Sequence, residues 1–314
     1  MKCPVCKTEC GQSNVCTECG FAEVGKDFIN REEAEQWFNE TVIPYRNKYH
    51  KTNILPPIDW LEVFKQNTQA KHLFDFSIPV AIKRRTDIDL LKNPQDADYN
   101  EYLRDATLGH IAIVSTSDMI RKHFLDVITE QYLNATSFKR TVSNAVERAS
   151  DLAAILTSLM PGEALVFEIG SKIKKDVAKL FTSSLSDFSM EITIGKGQGA
   201  RSVRLDLPAF TTIFFAEAAS DIPTEIANTL DAVIEFNPSQ DELDDLQIRE
   251  TAPIYDVQLT KATLGIIKEC NSQKPFKNVK GILKYISDYL YLHPEIKQPL
   301  SEDVIRTILE TLGR

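Results

Sequence analysis

The chain has 314 residues, of which 43% are hydrophobic and 26% are charged, and its formal net charge is −9. These values are ordinary for a soluble globular protein of two or three units, and no apolar run approaches the roughly 18 residues that a membrane helix needs. The N-terminus has no apolar segment typical of export, so we expect a cytoplasmic protein, in which clustered cysteines bind metal rather than form disulfides. The negative charge argues against a main role in gripping phosphates, although it is compatible with a local basic face.

The first residues carry a predicted metal site. Five of the six cysteines fall within the first 19 residues, and two CxxC turns pair Cys3 with Cys6 and Cys16 with Cys19. Each turn directs two thiolates at one point, and two such turns complete a tetrahedral shell around Zn²⁺. Gly20 follows the second pair, where a tight turn favours a residue without Cβ. We therefore predict a zinc ribbon with four cysteine ligands at residues 1–28.

The predicted zinc is structural. Four thiolates leave no open coordination position for a catalytic water. A segment of this length has too small a core to fold alone, and a bound metal would supply the missing stability. Redox sensing or metal-dependent chemistry is the alternative. Cys10 is interpreted as a bystander thiol that could substitute for a neighbouring ligand. Cys270 lies in a helical context and is interpreted as a small buried apolar residue.

Residues 29–104 are predicted to form a helical and linker region. Asn30 is a suitable N-cap, with Glu33 three residues later as its capping-box partner, and Pro44 should kink or interrupt the helix that follows. One face of this helix is apolar and is expected to pack on the protein itself, with a partner surface as the alternative: Ala34, Trp37, Phe38, Val42, Tyr45 and Tyr49.

The second half of that region gives fewer signals. Pro56 and Pro57 break the chain and indicate a linker. The basic run at residues 83–85 predicts a solvated loop rather than a nucleic-acid contact.

From about residue 108, candidate buried strands alternate with helices. The strands are predicted at residues 111–114, 164–167, 211–215 and 232–236, and the helices at residues 118–131, 151–159 (with Ser150 as N-cap) and 172–185. This alternation predicts an α/β fold with a mostly parallel sheet.

Two further strands flank a glycine-rich segment. Residues 190–194 and 201–205 predict a β-hairpin, with Gly195, Gly197 and Gly199 at its tip. A phosphate-binding glycine loop must open a helix, whereas this one precedes an alternating strand that ends at Pro208. The glycines are therefore interpreted as a hairpin tip and not as a phosphate loop.

The C-terminal part is predicted to be helical. An acidic run at residues 241–245 indicates a solvated helix start. Further helices are predicted at residues 259–270, 279–292 and 301–312, the last of them amphipathic and capped by Ser301.

The stretch from residue 151 to residue 211 resembles the RuvB family of Holliday-junction branch-migration motors. The similarity rests on the segment DLAAILT at residues 151–157 and on the hairpin segments IGKG at residues 194–197, ARS at residues 200–202 and RLDLP at residues 204–208. It extends more weakly over about residues 105–314. The resemblance implies an AAA+ core of five parallel strands at residues 105–238 and a helical lid at residues 239–314. The family's C-terminal winged helix is expected to be absent, and the zinc ribbon is not part of the family pattern.

The resemblance also locates a nucleotide site whose residues have changed. The family's glycine-rich phosphate loop corresponds to residues 115–123, which contain no glycine. Asp118 would place a negative charge where phosphate should bind. Arg121 replaces the phosphate-binding lysine, and Lys122 replaces the hydroxyl that holds Mg²⁺.

The remaining motifs of the family's active site are altered as well. The Walker B pair becomes Glu168 and Ile169, and the sensor 1 segment becomes residues 214–217. Ala227 and Thr229 replace the family's arginines, so a ring neighbour would receive no arginine finger, and Lys277 stands at the sensor 2 position. Losses in separate motifs imply that the chain does not hydrolyse ATP, and bound ATP or ADP is not expected.

These observations predict a non-catalytic, RuvB-like pseudo-ATPase that acts as a protein–protein adaptor or scaffold. Its partners are expected to contact the ribbon with its helix and the hairpin at residues 190–208, represented by Ile194, Lys196, Gln198 and Arg201. In the family, this hairpin engages the motor's protein partner. A nucleic-acid-binding protein that uses the ribbon and the AAA+ body is the alternative, and an ATP-driven DNA motor with aberrant motifs ranks last. A homo-oligomer is left open.

Overall fold

The computed structural model describes residues 1–6, 8–11, 13–52, 54–89, 104–133, 138–194, 201–271 and 278–312. The chain forms two compact units, one of Met1–Ile58 with Pro238–Arg314 and the other of Asp59–Asn237. In the described part of the chain, no helix combines the length and the apolar character needed to cross a membrane.

The Asp59–Asn237 unit is built around a parallel sheet of five strands within the described residues, in the order β2-β3-β6-β1-β7. The bounds of these strands are β1 His110–Val114, β2 Phe138–Val142, β3 Ala164–Glu168, β6 Thr211–Ala216 and β7 Ala232–Glu235. Strands β1 and β6 are buried along their whole length, as expected for central strands covered on both faces. The predicted fold class is confirmed, and β2 is the strand that the sequence pattern did not reveal.

Helices of this unit connect and cover the strands. They are α3 Trp60–Asn67, α4 Ile78–Asp89, α5 Asp118–Ile128, α6 Ala149–Thr157, α7 Lys175–Asp187 and the short α8 Thr224–Ala227. The predicted N-cap of α6 was wrong, because the helix begins one residue before Ser150. The Asp151 carboxylate accepts the backbone N–H groups of Arg148 at 2.9 Å and Glu147 at 3.1 Å, which makes Arg148 the cap residue.

The basic run at residues 83–85 was wrongly predicted as a loop, because it lies on α4. Arg85 donates to the backbone carbonyl of Tyr132 at 3.4 Å, and its guanidinium lies 5.0 Å from the centre of the Tyr132 ring. Arg84 donates to the backbone carbonyl of Asp105 at 2.9 Å. Two of the three basic side chains are thus used to attach α4 to its own unit.

The hairpin consists of β4 Ser189–Ile194 and β5 Arg201–Asp206, which pair antiparallel as a separate two-stranded sheet. Pairs Met190–Leu205 and Ile192–Val203 share one face, which passes from buried at Met190 to exposed at Val203. Both predicted strands are confirmed. The glycine-rich tip, with Lys196 and Gln198, lies outside the described residues.

The other unit joins the ribbon to the C-terminal helices. Helix α1 spans Arg31–Trp37, a π-helical turn follows at Phe38–Val42, and α2 spans Ile43–Thr52, so the predicted interruption occurs directly before Pro44. The Asn30 side chain accepts from the Glu33 N–H at 2.8 Å, which confirms the predicted cap.

The C-terminal part of this unit is helical, as predicted. Its helices are α9 Gln240–Thr251, α10 Lys261–Asn271, α11 Val279–Leu292 and α12 Glu302–Leu312, which share one apolar core. The segment after α2 joins this core, because Leu55 packs against it and donates its N–H to the Leu259 carbonyl at 2.8 Å.

Candidate functional site

Four cysteines of the ribbon form a compact cluster. The Sγ atoms of Cys3, Cys6, Cys16 and Cys19 all lie within 4.8 Å of one another. Cys3 and Cys19 are 3.5 Å apart, and Cys6 and Cys16 are 3.4 Å apart. A tetrahedral ion with Zn–S distances of about 2.3 Å would separate its thiolates by roughly 3.8 Å, so this donor set fits zinc with small adjustments.

Backbone amides favour the thiolate form of Cys16, whereas burial raises the pKa of Cys6 and of Cys19. The Val5 N–H donates to the Cys3 Sγ at 3.4 Å. Desolvation acts to raise the pKa of Cys16, but hydrogen bonds from the backbone of Cys19 and Glu18 outweigh it and lower that pKa to about 6. A deprotonated cysteine is the form that a metal ligand requires.

The two CxxC turns are held by the local backbone and by aromatic packing. Gly20 has a φ of +71°, and its N–H donates to the Cys16 carbonyl at 2.9 Å, so the predicted need for glycine is met by a left-handed residue. Phe21 packs its ring 6.1 Å from Trp37 and 5.1 Å from Tyr45. Trp37, Val42 and Tyr45 of the predicted apolar face therefore pack on the ribbon, whereas Phe38 is exposed.

Cys10 lies beside this cluster without being one of the four. Its thiol donates to the Thr8 carbonyl at 3.5 Å, and desolvation together with the neighbouring Cys16 raises its pKa to about 11. Cys270, on α10, is partly buried against the core of the C-terminal helices, and burial raises its pKa. Cys270 is thus partly rather than fully buried, and the interpretation of Cys10 as a bystander stays a prediction.

The loop after β1 stands where a phosphate-binding loop would be needed. It comprises only Ser115, Thr116 and Ser117, because α5 already begins at Asp118. The Arg121 side chain turns back into this loop, where its guanidinium donates to the Ser115 carbonyl and to the Asp118 carboxylate. Arg121 is only 7% exposed, so its own side chain occupies the space beside the start of α5.

The other residues that stand at the family's motif positions are held by their neighbours or buried in the core. The Glu168 carboxylate pairs with the Arg140 guanidinium of the neighbouring strand at 2.9 Å, and Ile169 is buried. Phe214 packs against Phe167 and Phe181 in the core. Lys122 is exposed on α5.

Some of the remaining predicted site residues lie outside the described part of the chain. Lys277 lies outside the described residues. In the hairpin, Ile194 pairs with Arg201 in the backbone register, and the Arg201 side chain is exposed.

The segment that contains the hairpin and most of the parallel sheet is also similar to a known family. Residues 99–233 match the family model described as the Holliday junction DNA helicase RuvB P-loop domain. This chain contains a RuvB-like AAA+ domain. The matched segment spans β1 to β6, including the hairpin.

Solved structures of RuvB from Thermotoga maritima are similar to the chain. A point mutant of that protein has 19% sequence identity and a TM-score of 0.49, covering 77% of this chain and 72% of the other. The structure described as the Thermotoga maritima RuvB Holliday junction branch migration motor has 18% identity and a TM-score of 0.48, covering 73% and 68%.

The sequence did not predict a cleft of about 770 Å³ that lies at the carboxyl ends of β3 and β6. Lys172 and Lys175 lie on one side of it, and Glu217 and Glu225 on the other. The sequence feature that could have indicated this cleft is the polar, charged segment that directly follows each of the buried strands β3 and β6.

Proposed function

We propose that this chain is a non-catalytic RuvB-like AAA+ protein that acts as a protein–protein adaptor, with a structural zinc ion in its ribbon. The single observation that carries the proposal is the β1–α5 loop. Three residues with no glycine cannot wrap a triphosphate, and the Arg121 guanidinium already satisfies the Ser115 carbonyl and the Asp118 carboxylate.

The other changed motifs support the same conclusion. Phosphoryl transfer needs a metal ligand and a group that orients the attacking water. Glu168 is engaged by Arg140, and Ile169 has no polar atom in its side chain. Ala227 has no charge to offer a neighbouring subunit. A chain that had changed one motif alone would support the proposal less, because each motif supplies a different part of the reaction.

We expect calorimetric titration of the zinc-loaded chain with ATP and with ADP, with and without Mg²⁺, to release no binding heat at high micromolar protein. The reason is the filled loop, which leaves the backbone amides of α5 no room to reach a phosphate. An active P-loop ATPase titrated in the same buffers is the positive control. Saturable heat at micromolar nucleotide would contradict the argument from the filled loop, and measured hydrolysis of the bound nucleotide would then contradict the non-catalytic proposal itself.

The β4–β5 hairpin is the proposed contact for a protein partner. Its two strands pair only with each other among the described residues, its base packs on the core through Met190, and Val203 is 37% exposed further along the same face. Arg201 and Arg204 are exposed on opposite faces of β5, and Arg204 lies opposite Glu191 of β4.

Val203→Asp is expected to remove the proteins that the bead-bound chain captures from a nuclease-treated native lysate, because a carboxylate would be buried in the contact. Val233→Asp is the matched control, since Val233 is 43% exposed on β7 and Val203 is 37% exposed. If the wild type and both variants capture the same proteins, the hairpin is not the partner surface. Nuclease treatment removes proteins that are bridged by DNA.

A further inference from the structure

The cleft at the carboxyl ends of β3 and β6 has an apolar floor. Ile169 and Ile173 line it, and each is 6% exposed. Crevices at the carboxyl ends of parallel strands are where α/β sheets place ligands, and clefts of about 300–1,000 Å³ hold molecules of drug size. At about 770 Å³, this cleft has room for a short peptide segment.

The two walls of the cleft carry opposite charges. Lys172 and Lys175 come from the segment that leads from β3 into α7, and Glu217 and Glu225 come from the segment after β6. All four are exposed, and none of them forms an ion pair within 4.0 Å with another residue in the described ranges. The basic side chains of one wall therefore do not pair with the acidic side chains of the other, and both sets of charges remain available to a ligand.

Both walls are fixed before any ligand arrives. The Ser143 hydroxyl accepts the N–H groups of Gly170 at 3.1 Å and Ser171 at 2.9 Å, which holds the loop that leads to Lys172. The Asp221 carboxylate accepts the Ala218 N–H at 3.0 Å and holds the segment after Glu217. A preformed cleft loses less conformational entropy when it binds a ligand.

We propose that this cleft binds a short peptide segment of a partner protein, in which an apolar side chain is flanked by an acidic residue and a basic residue. The apolar side chain covers the Ile169 floor, the acidic residue meets Lys172 and Lys175, and the basic residue meets Glu217 and Glu225. A ligand of one sign, such as nucleic acid or a free phosphate, would be attracted by one wall and repelled by the other. The inference rests on the proposed adaptor function and names a partner surface separate from the hairpin.

Selection of a phage-displayed random heptapeptide library on the immobilised full-length, zinc-loaded chain tests this assignment. We expect the enriched peptides to combine an acidic, an apolar and a basic residue, and their synthetic forms to bind in fluorescence anisotropy. Lys172→Glu with Lys175→Glu, and separately Glu217→Lys with Glu225→Lys, should each weaken binding about tenfold or more, because each makes both walls the same sign. Lys179→Glu on α7 and Glu130→Lys are the matched controls, since both positions are exposed and neither lines the cleft.

The proposal is overturned if no peptide is enriched, if enriched peptides carry charge of one sign, or if their binding survives both wall variants. It is also overturned if light scattering shows a self-association that the wall variants abolish, because the occupant is then a second copy of the chain. The nucleotide titration separates this proposal from the adaptor function. Nucleotide binding with hydrolysis would end the pseudo-ATPase proposal, and the cleft assignment would still stand if the peptides depend on its walls. No nucleotide binding together with no wall-dependent peptide would end only the cleft assignment.

Discussion

Replacing Cys16 with serine is expected to abolish zinc binding and to unfold the ribbon. The wild-type chain should hold about one zinc ion, because four thiolates complete the shell. Structural zinc in zinc-finger peptides contributes about 10–16 kcal/mol of apparent binding free energy, which is far more than a segment of this size obtains from its core. Elemental analysis of the purified variants measures the bound metal.

Trp37 reports the accompanying loss of structure. Its ring lies 4.9 Å from Phe28, and its indole N–H donates to the Glu23 carboxylate at 2.6 Å, so it depends on the folded ribbon. The chain has two tryptophans, and Trp60→Phe leaves Trp37 as the sole tryptophan, whose emission can be excited selectively. Cys16→Ser, or chelation of the wild type, should shift this emission to longer wavelength.

Cys10→Ser and Cys270→Ser are the matched controls, and both should keep the metal and the Trp37 emission. Loss of zinc in Cys10→Ser as complete as in Cys16→Ser would show that Cys10 is a ligand and that the shell was wrongly assigned. A metal-free wild type that retains the native Trp37 emission would contradict the structural role itself.

The central strands could be predicted because each is buried on both faces and is therefore an uninterrupted apolar run. Strand β2 could not, because it lies at the edge of the sheet and its sequence, FKRTV, is partly exposed along its length. Lys139 and Arg140 interrupt the hydrophobic pattern, although Arg140 has a clear role beside Glu168. The cap of α6 was misplaced for a local reason, since the position of the helix start depends on the Asp151 carboxylate rather than on Ser150.

The candidate sites differ in how far the sequence defined them. Two CxxC turns specify four ligands by spacing alone, because each turn fixes its own geometry. The changed phosphate loop was also visible in the sequence, but the position of the Arg121 guanidinium was not, since it depends on the helix beginning at Asp118. The cleft was missed because its walls come from segments well separated along the chain, at Lys172 and Glu217, which only the β3–β6 pairing brings together.

Gly109→Ala is expected to destabilise the Asp59–Asn237 unit by about 2.5–5 kcal/mol, the sum of a conformational cost and a lost hydrogen bond. Gly109 has a φ of +85°, a left-handed conformation that costs an alanine roughly 1–2 kcal/mol. An added Cβ would also overlap the Asp231 carboxylate, which accepts the His110 N–H at 2.7 Å. Displacing that carboxylate loses a charge-assisted hydrogen bond worth about 1.5–3 kcal/mol.

This local arrangement matters because it sets the start of β1. Burial lowers the pKa of His110 to about 4, so at neutral pH the imidazole is uncharged. Its Nε2 then donates to the Leu185 carbonyl at 3.1 Å, and its Nδ1 accepts the Thr212 N–H at 3.2 Å. A shift of the backbone at Gly109 would disturb these buried bonds as well as the bond to Asp231.

Urea unfolding followed by Trp60 fluorescence in a Trp37→Phe background measures the change in this unit. Gly170→Ala is the matched control, because Gly170 has no positive φ and the nearest atom to an added Cβ, Asn144 Nδ2, is 4.0 Å away; we expect a change within about 0.5 kcal/mol. In an Asp231→Ala background, the cost of Gly109→Ala should fall to the conformational part alone, about 1–2 kcal/mol. An unchanged cost in that background would show that the Asp231 carboxylate does not constrain Gly109.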